Sequence, residues 1–257
     1  MTQPGAQGAG ILAVVLTLGF ALFDTTNLVR AIETGDLNGR LDLSTNEAGL
    51  SMVVQGGFGA AVLGIVVITS EYSAQAREIG GGMQLFSSLA AVSQRWMIFT
   101  SKALVLGVTV SLLAAITVPL VLISSQVMLG EHGEVSVSAV TDLGWRFWGA
   151  VGNWTFTALL AMSLATFFQN ALVPILLVGV SVGAVSFGGV ATLTFDGAWL
   201  LPDVASVLMF ADYSFLYPGA EPTISPGEAA WVMVGWVFLL LLAALLRFTR
   251  NPMPRDR

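Results

Sequence analysis

The chain contains no cysteine and few charged residues. Only 10% of its 257 residues are Asp, Glu, Lys or Arg, against about 25% in soluble domains, while 55% are hydrophobic and the mean hydropathy is +0.82. The absence of cysteine excludes disulfides and thiolate metal sites. The scarcity of charge excludes an ordinary soluble domain. The composition therefore predicts an all-α integral membrane protein, with residues 1–257 forming one transmembrane domain.

Motifs for ATP hydrolysis and catalysis are also missing. Lys102, the only lysine, follows no glycine-rich turn, so the chain has no phosphate-binding loop of the GxxxxGK[ST] type. The only histidine, His132, lies in the stretch GEHGE, which lacks the further ligands that a metal site needs. Asp24 is the one ionisable residue that could lie at membrane depth, and a place at the outer interface suits it better. We expect no enzyme, no metal, no cofactor bound by this chain and no nucleic-acid partner.

Charge-free runs predict the membrane-spanning segments. A helix needs roughly 20 mainly apolar residues to cross the hydrocarbon core, because each residue adds about 1.5 Å. Such runs lie between Glu47 and Glu71 and between Lys102 and Glu131. A signal peptide at the start of the chain would need a basic segment, and no Lys or Arg precedes Arg30. We predict six transmembrane helices, at about 9–29, 49–70, 103–128, 145–168, 171–191 and 229–249.

The distribution of basic residues predicts the orientation. Six crossings place both termini on one side, and seven of the ten basic residues fall on that side. Because cytoplasmic segments are enriched in Lys and Arg, we predict a multi-pass plasma membrane protein with both termini in the cytoplasm. The seven residues are Arg77, Arg95, Lys102, Arg247, Arg250, Arg255 and Arg257.

The predicted outer segment 192–227 is unusually apolar for a surface loop. It contains LLPDVASVLMF, in which Pro202 is placed as a residue that begins a helix. This pattern predicts a short re-entrant helix that dips into the outer leaflet before helix six.

Small and polar residues within the predicted helices allow two interpretations. Glycines at positions 56, 57, 59 and 64, and again at 179 and 183, permit close approach of helices, within one chain or between chains. Gln55, Ser181 and Ser186 could face a substrate path or hydrogen-bond between helices.

The half-polar stretch 71–102 separates helices two and three on the predicted cytoplasmic side. Within residues 83–96, apolar side chains recur at helical spacing opposite a polar face, which predicts an amphipathic helix. It could lie on the lipid surface. A polar face of small residues with one arginine attracts anionic lipid poorly, however, and better suits a protein partner. The apolar residues are Leu85, Phe86, Leu89, Val92 and Trp96.

This stretch also resembles a known family. ITSEYSAQAREI followed by LAAVSQRWMIFTSKALVLG is similar to the first cytoplasmic loop of permease subunits of type 2 ATP-binding cassette (ABC) transporters, particularly actinobacterial ones. The chain departs from the pattern at Ser93, where proline is common, and at Gln94, where a basic residue is common. The matching residues are Glu71, Tyr72, Leu89, Ala91, Arg95, Lys102, Ala103 and Leu104.

The resemblance implies a function and partners. A permease of this family pairs with a second permease subunit, the same or paralogous, and exports a substrate using separate cytoplasmic ATPase subunits that bind ATP and Mg. Stretch 71–102 would hold the coupling helix, and helices two and five would line the path of an amphipathic or hydrophobic substrate. The alternative is a non-transporting accessory, sensor or immunity subunit that binds partners through its loops. The implied coupling residues are Glu71, Tyr72, Arg77, Glu78, Gln84, Leu85, Ser88, Leu89, Arg95, Trp96 and Lys102, and the candidate path residues are Met52, Gln55, Phe58, Ser181 and Ser186.

Overall fold

The computed structural model describes residues 4–35, 45–69, 95–133, 141–182, 186–211 and 222–250. All regular structure in these ranges is helical, as the composition predicted. Two 3-10 helices, Gly130–His132 and Asp196–Leu200, accompany the α-helices. The α-helices are α1 (Pro4–Thr34), α2 (Val53–Thr69), α3 (Arg95–Leu129), α4 (Trp145–Phe168), α5 (Leu172–Val182), α6 (Phe187–Ala191), α7 (Pro202–Leu208) and α8 (Pro226–Arg250).

Four of these helices are long and apolar enough to cross a membrane: α1, α3 with its following 3-10 turn, α4 and α8. Large apolar side chains on their outer faces are exposed, as in Ile11 (64%), Ile116 (69%) and Phe238 (65%). Water would penalise such a surface, whereas lipid tails would not. The chain therefore has the properties of a multi-pass membrane protein. With 17 and 11 residues, α2 and α5 fall short of the usual spanning length.

The helices alternate in direction, so their termini collect at two ends of the bundle. At one end, which we call the basic end, lie the start of α1, the end of α2, the start of α3, the end of α4 and the end of α8. At the other, which we call the acidic end, lie the opposite termini. The contacts that fix these directions are Gly5–Val66 and Ala21–Gly49 between α1 and α2, Thr26–Met128 between α1 and α3, Phe99–Phe248 between α3 and α8, and Arg247–Phe167 between α8 and α4.

Close packing of α1 on α2 depends on small residues. Alanine and threonine recur along the buried face of α1, and their short side chains allow the glycines of α2 to approach its backbone. Gly59 lies directly against Ala13, and Gly56 leaves the space that Thr17 and the Trp154 ring occupy. Eleven of the 17 residues of α2 are buried. The glycines therefore serve packing within the chain, which was one of the two interpretations of the sequence.

Helix α4 is the centre of the bundle and packs against α2, α3, α5, α7 and α8. Its bounds, Trp145–Phe168, agree with the predicted segment 145–168. Trp154 and Met162 are fully buried. The Trp154 indole N–H donates to the Val53 carbonyl at 2.8 Å, which satisfies a polar group in the core. The other fully buried residues of α4 are Ala150, Ala158, Ala161 and Ala165.

Helix α1 extends beyond the predicted 9–29 at both ends, and two other predicted segments differ more in kind. Helix α3 begins at Arg95 rather than at 103, because residues 95–102 contain no glycine or proline to interrupt a helix. The predicted helix 171–191 is divided: α5 ends at Val182 and a new helix, α6, begins after Ser186, whose hydroxyl accepts a hydrogen bond from Gly189 N–H at 3.0 Å.

Candidate functional site

The two helices that flank stretch 71–102 both end at the basic end. Helix α2 ends at Thr69 and α3 begins at Arg95. The Lys102 ammonium donates to the Val67 carbonyl at 3.5 Å, in the last turn of α2, where a positive charge is favourable to the helix dipole. A change in this stretch would therefore act directly on the joined ends of α2 and α3.

Three of the predicted coupling residues lie in the described ranges. Arg95 and Trp96 form the first turn of α3. The amphipathic helix predicted over 83–96 therefore overlaps α3 at these two residues, and the rest of it lies outside the described residues. The Trp96 side chain is 49% exposed. Lys102 joins α3 to α2. The predicted coupling residues that lie outside the described residues are Glu71, Tyr72, Arg77, Glu78, Gln84, Leu85, Ser88 and Leu89.

Aromatic contacts join α3, α4 and α8 at the basic end. The ring centroids of Phe99 and Phe248 are 5.7 Å apart, and the Arg247 guanidinium carbon lies 4.8 Å from the centroid of Phe167. A guanidinium over an aromatic face is attracted by the ring quadrupole. These contacts make the ends of α3, α4 and α8 at the basic end one packed unit.

The predicted path residues fall into two groups. Met52, Gln55 and Phe58 follow each other at helical spacing along the half-buried stripe of α2 and its preceding turn, and Phe58 contacts α5 at Gly179. The structure thus brings α2 and α5 into contact, while a substrate path along them stays a prediction. The two serines make local bonds, because Ser181 donates to the Leu177 carbonyl at 2.8 Å and Ser186 caps α6.

The segment after α5 re-enters the bundle. The Trp236 indole N–H donates to the Leu200 carbonyl at 2.8 Å, and Trp236 lies ten residues, or about 15 Å, after the start of α8. Pro202 is the first residue of α7, in agreement with the sequence prediction. Leu200 therefore lies about 15 Å from the acidic end, measured along α8. From there α7 runs toward the acidic end, and its residues 204–208 are buried.

Side chains of α4 hold α7 in place. The Asn153 amide N–H donates to the Ser206 carbonyl at 3.2 Å, and Arg146 Nε donates to the Phe210 carbonyl at 2.7 Å. Backbone carbonyls at membrane depth need such donors, since hydrocarbon supplies none. α5 and α7 are separate helices, and these donors fix α7 to α4.

The ion pair between Arg146 and Glu47 was not predicted from the sequence. Arg146 Nη1 contacts Glu47 Oε1, so this arginine joins the turn before α2 to the start of α4 and the end of α7. The two residues are 99 positions apart, and no local pattern relates them. In the sequence, Arg146 was only one of the three basic residues not assigned to the cytoplasmic side.

A second unpredicted contact joins α6 to α7. Gly188 N–H donates to the Asp203 carboxylate at 2.7 Å, and Gly188 leaves the space that this carboxylate occupies. Asp203 lies in the first turn of α7, where a negative charge is favoured by the helix dipole. The contact fixes the reversal of the chain between α6 and α7.

The described residues bring together few side chains that could bind a metal or catalyse a reaction. Within the described ranges, no three His, Cys, Asp or Glu side chains come together to hold a metal ion. His132 is exposed in the 3-10 turn after α3, beside Glu131. What the described residues offer is a helical bundle with a tightly packed α2, a re-entrant α7 and a basic end.

Comparison with known proteins adds no relative. No protein-family model, no curated protein and no solved structure shows significant similarity to the chain.

Proposed function

We propose that this chain is the membrane-spanning permease subunit of an ATP-driven ABC exporter. The observation that carries the proposal is the position of stretch 71–102, which connects helices that end together at the basic end. The sequence resemblance of this stretch to a coupling loop supplies the partner, a separate ATPase that binds ATP and Mg. A second permease subunit would complete the transporter.

The charge distribution supports a cytoplasmic basic end. Of the described residues, four basic side chains and no acidic one lie at this end. Lys and Arg are enriched on the cytoplasmic side of membranes, so both termini and stretch 71–102 would be cytoplasmic. The four residues are Arg95, Lys102, Arg247 and Arg250.

The alternating helix directions support six crossings. The short helix α2 contributes about 25 Å of rise, and α5 about 16 Å. Because α7 runs in the same direction as α5 and lies nearer the acidic end, α5 and α7 together would complete the fifth crossing. The re-entrant helix predicted before helix six would then be the outer half of that crossing.

Force from the ATPase would reach the bundle through α2 and α3. An ATPase that binds the loop with different affinity in its two nucleotide states shifts the equilibrium between two permease conformations. The size of that shift is set by the difference in affinity. Lys102 connects the loop end of α2 to α3, and the close glycine contacts of α2 connect it to α1 and α4. The uncharged stripe on α2 with Gln55 and Phe58 suits an amphipathic or hydrophobic substrate.

Cysteine labelling tests the orientation, because the chain has no native cysteine. His132 is exposed near the acidic end and Thr249 is exposed at the basic end. In intact cells we expect His132→Cys to react with a membrane-impermeant maleimide and Thr249→Cys to react only after the membrane is permeabilised. The reverse pattern, or labelling of both from outside, would contradict the proposed orientation.

Co-expression with a candidate ABC ATPase from the same genome tests the partner. We expect the two to purify as one complex whose ATP hydrolysis changes on reconstitution into liposomes. Leu89→Asp and Arg95→Glu should weaken association more than about tenfold, since a buried anchor in an interface commonly contributes 2 kcal/mol or more. Arg30→Glu, an equal charge change toward the acidic end, is the matched control and should leave the complex intact.

Two outcomes would count against the exporter. If no ATPase associates with the chain while it is folded and inserted, the proposal is wrong, and a non-transporting accessory or sensor subunit becomes the better interpretation. If an ATPase binds but both loop variants bind and hydrolyse like the original chain, stretch 71–102 is not the coupling element.

A further inference from the structure

The chain before α2 enters the bundle at the acidic end in a series of turns, residues 45–52. The inner half of this series is anchored in the core, because Leu50 is fully buried there and the Val53 carbonyl that follows accepts from Trp154. The outer half, residues 45–49, lies between α1 and α3, and we call it the gate segment. The two halves depend on different contacts.

Few apolar side chains hold the gate segment. Ala48 packs against Leu28 of α1 and Leu129 of α3, and these three residues form a buried cluster that is separate from the main core. Regions with few buried apolar contacts open locally at a lower free energy than the core does. The gate segment can therefore separate from α1 and α3 while the core stays packed.

Two side chains from neighbouring helices fasten the gate segment. Arg146, at the start of α4, forms the ion pair with Glu47, and the two side chains are 26% and 35% exposed. Gln126 of α3 donates from Nε2 to the Thr45 carbonyl at 2.7 Å and to the Asn46 carbonyl at 3.3 Å. A partly exposed ion pair contributes little to stability, since water can take the place of each partner. These polar contacts therefore hold the segment closed only weakly.

The closed position leaves one buried hydroxyl unsatisfied. Ser125 Oγ in α3 is out of contact with solvent and has no hydrogen-bond partner among the described residues. Gly49, with φ at 83°, lies so close to this oxygen that a Cβ atom at the glycine would overlap it. Burial of a polar group without a partner is unfavourable, and water would satisfy the hydroxyl once the segment moved away. Ser125 thus opposes the closure that Arg146 and Gln126 favour.

We propose that residues 45–49 form a gate at the acidic end, which opens locally to water when the ion pair between Arg146 and Glu47 separates. Opening hydrates Ser125 and leaves Leu50 and α2 in the core. The opposing contacts keep the open and closed positions close in free energy, as a two-state element requires. In the proposed exporter the gate would lie on the outer face. That role rests on the proposed function, whereas the opening itself needs neither an ATPase nor a substrate.

Cysteine labelling of the purified full-length chain in phosphatidylcholine nanodiscs tests the gate, because the chain has no native cysteine. Ala48 is 3% exposed, so a thiol in Ala48→Cys reacts with a water-soluble maleimide only when the segment opens. We expect Glu47→Gln to raise the labelling rate about fivefold, since a partly exposed ion pair contributes up to that scale. Ser125→Ala removes the unsatisfied hydroxyl and should lower the rate by a similar factor.

Two controls separate local opening from a general loss of stability. Glu131→Gln changes an exposed carboxylate at the same end of the bundle and should leave the labelling rate of Ala48→Cys unchanged. Ala161 is fully buried in α4, so Ala161→Cys should stay unlabelled when Glu47→Gln is introduced.

Hydrogen exchange of the chain without introduced cysteines gives a second measurement if Ala48→Cys does not fold. The Ala48 N–H donates to the Thr45 carbonyl at 3.4 Å and should exchange about fivefold faster in Glu47→Gln, while amides of α4 keep their rates. Three outcomes would each overturn the proposal: an unchanged rate in Glu47→Gln, parallel increases at Ala48→Cys and Ala161→Cys, or a rate in Ser125→Ala that is not lowered.

Discussion

Replacing Gly64 or Gly59 with alanine is expected to disrupt the packing of α2 strongly. A methyl group at Gly64 would overlap the Ala158 carbonyl of α4, and one at Gly59 would overlap the backbone of Ala13 in α1. Backbone atoms cannot move aside as a side-chain tip can, so α2 must separate from its neighbour. We expect each variant to lose about 3 kcal/mol of stability or more, measured by unfolding in mixed detergent micelles.

Glycines in other positions provide controls for that prediction. Gly19 lies on the exposed face of α1 with open space around it, so Gly19→Ala should be neutral or stabilising by up to about 1 kcal/mol, because alanine favours the helix. At Gly57 the nearest atom would be Asn153 Oδ1 at 3.3 Å, a tight contact that a small shift relieves. If Gly64→Ala and Gly59→Ala are as stable as Gly19→Ala, the described packing of α2 is wrong.

Trp154→Ala is expected to produce a comparable loss. The ring is fully buried between α2 and α4, and its N–H satisfies the Val53 carbonyl at 2.8 Å. Removing a buried tryptophan leaves a cavity and costs about 3–5 kcal/mol. Trp154→Phe keeps most of the apolar contact but loses the hydrogen bond, so we expect about 0.5–1.5 kcal/mol.

An exposed tryptophan on the same helix isolates the effect of burial. Trp148 is 68% exposed, and Trp148→Phe should change the unfolding free energy by less than about 0.5 kcal/mol. Equal losses in Trp154→Phe and Trp148→Phe would show that the buried hydrogen bond contributes nothing to stability.

Hydropathy predicted the helices that are regular and long. For α4 the apolar run is bounded by Gly144 and by the Gln169-Asn170 pair, and the predicted and observed bounds agree. The same criterion failed at α5. Every residue of the predicted segment 171–191 is uncharged, and hydropathy does not register the serine cap and adjacent glycines that begin α6. It also placed the start of α3 too late, because residues 95–102 are polar enough to resemble a loop while remaining good helix formers.

The contacts of the candidate site were less accessible to sequence reasoning. Arg146 and Glu47 meet only because α4 and the turn before α2 end at the same level, which no local pattern encodes. The cap that Asp203 provides for α6 depends likewise on a chain reversal. The family resemblance named Lys102 as a coupling residue, which stays a prediction, whereas its contact with the Val67 carbonyl of α2 was not predicted. The coupling helix itself stays a prediction.

The break between α5 and α7 has a mechanical consequence. A continuous helix transmits a push along its axis, because its hydrogen bonds resist compression. Here α5 rests on Phe58 of α2 and also packs against α4, while α7 is fastened to α4 through Asn153 and Arg146. A displacement of α5 at the basic end therefore does not pass along one continuous helix to α7, and it reaches the acidic end through neighbours such as α4, which contacts both pieces.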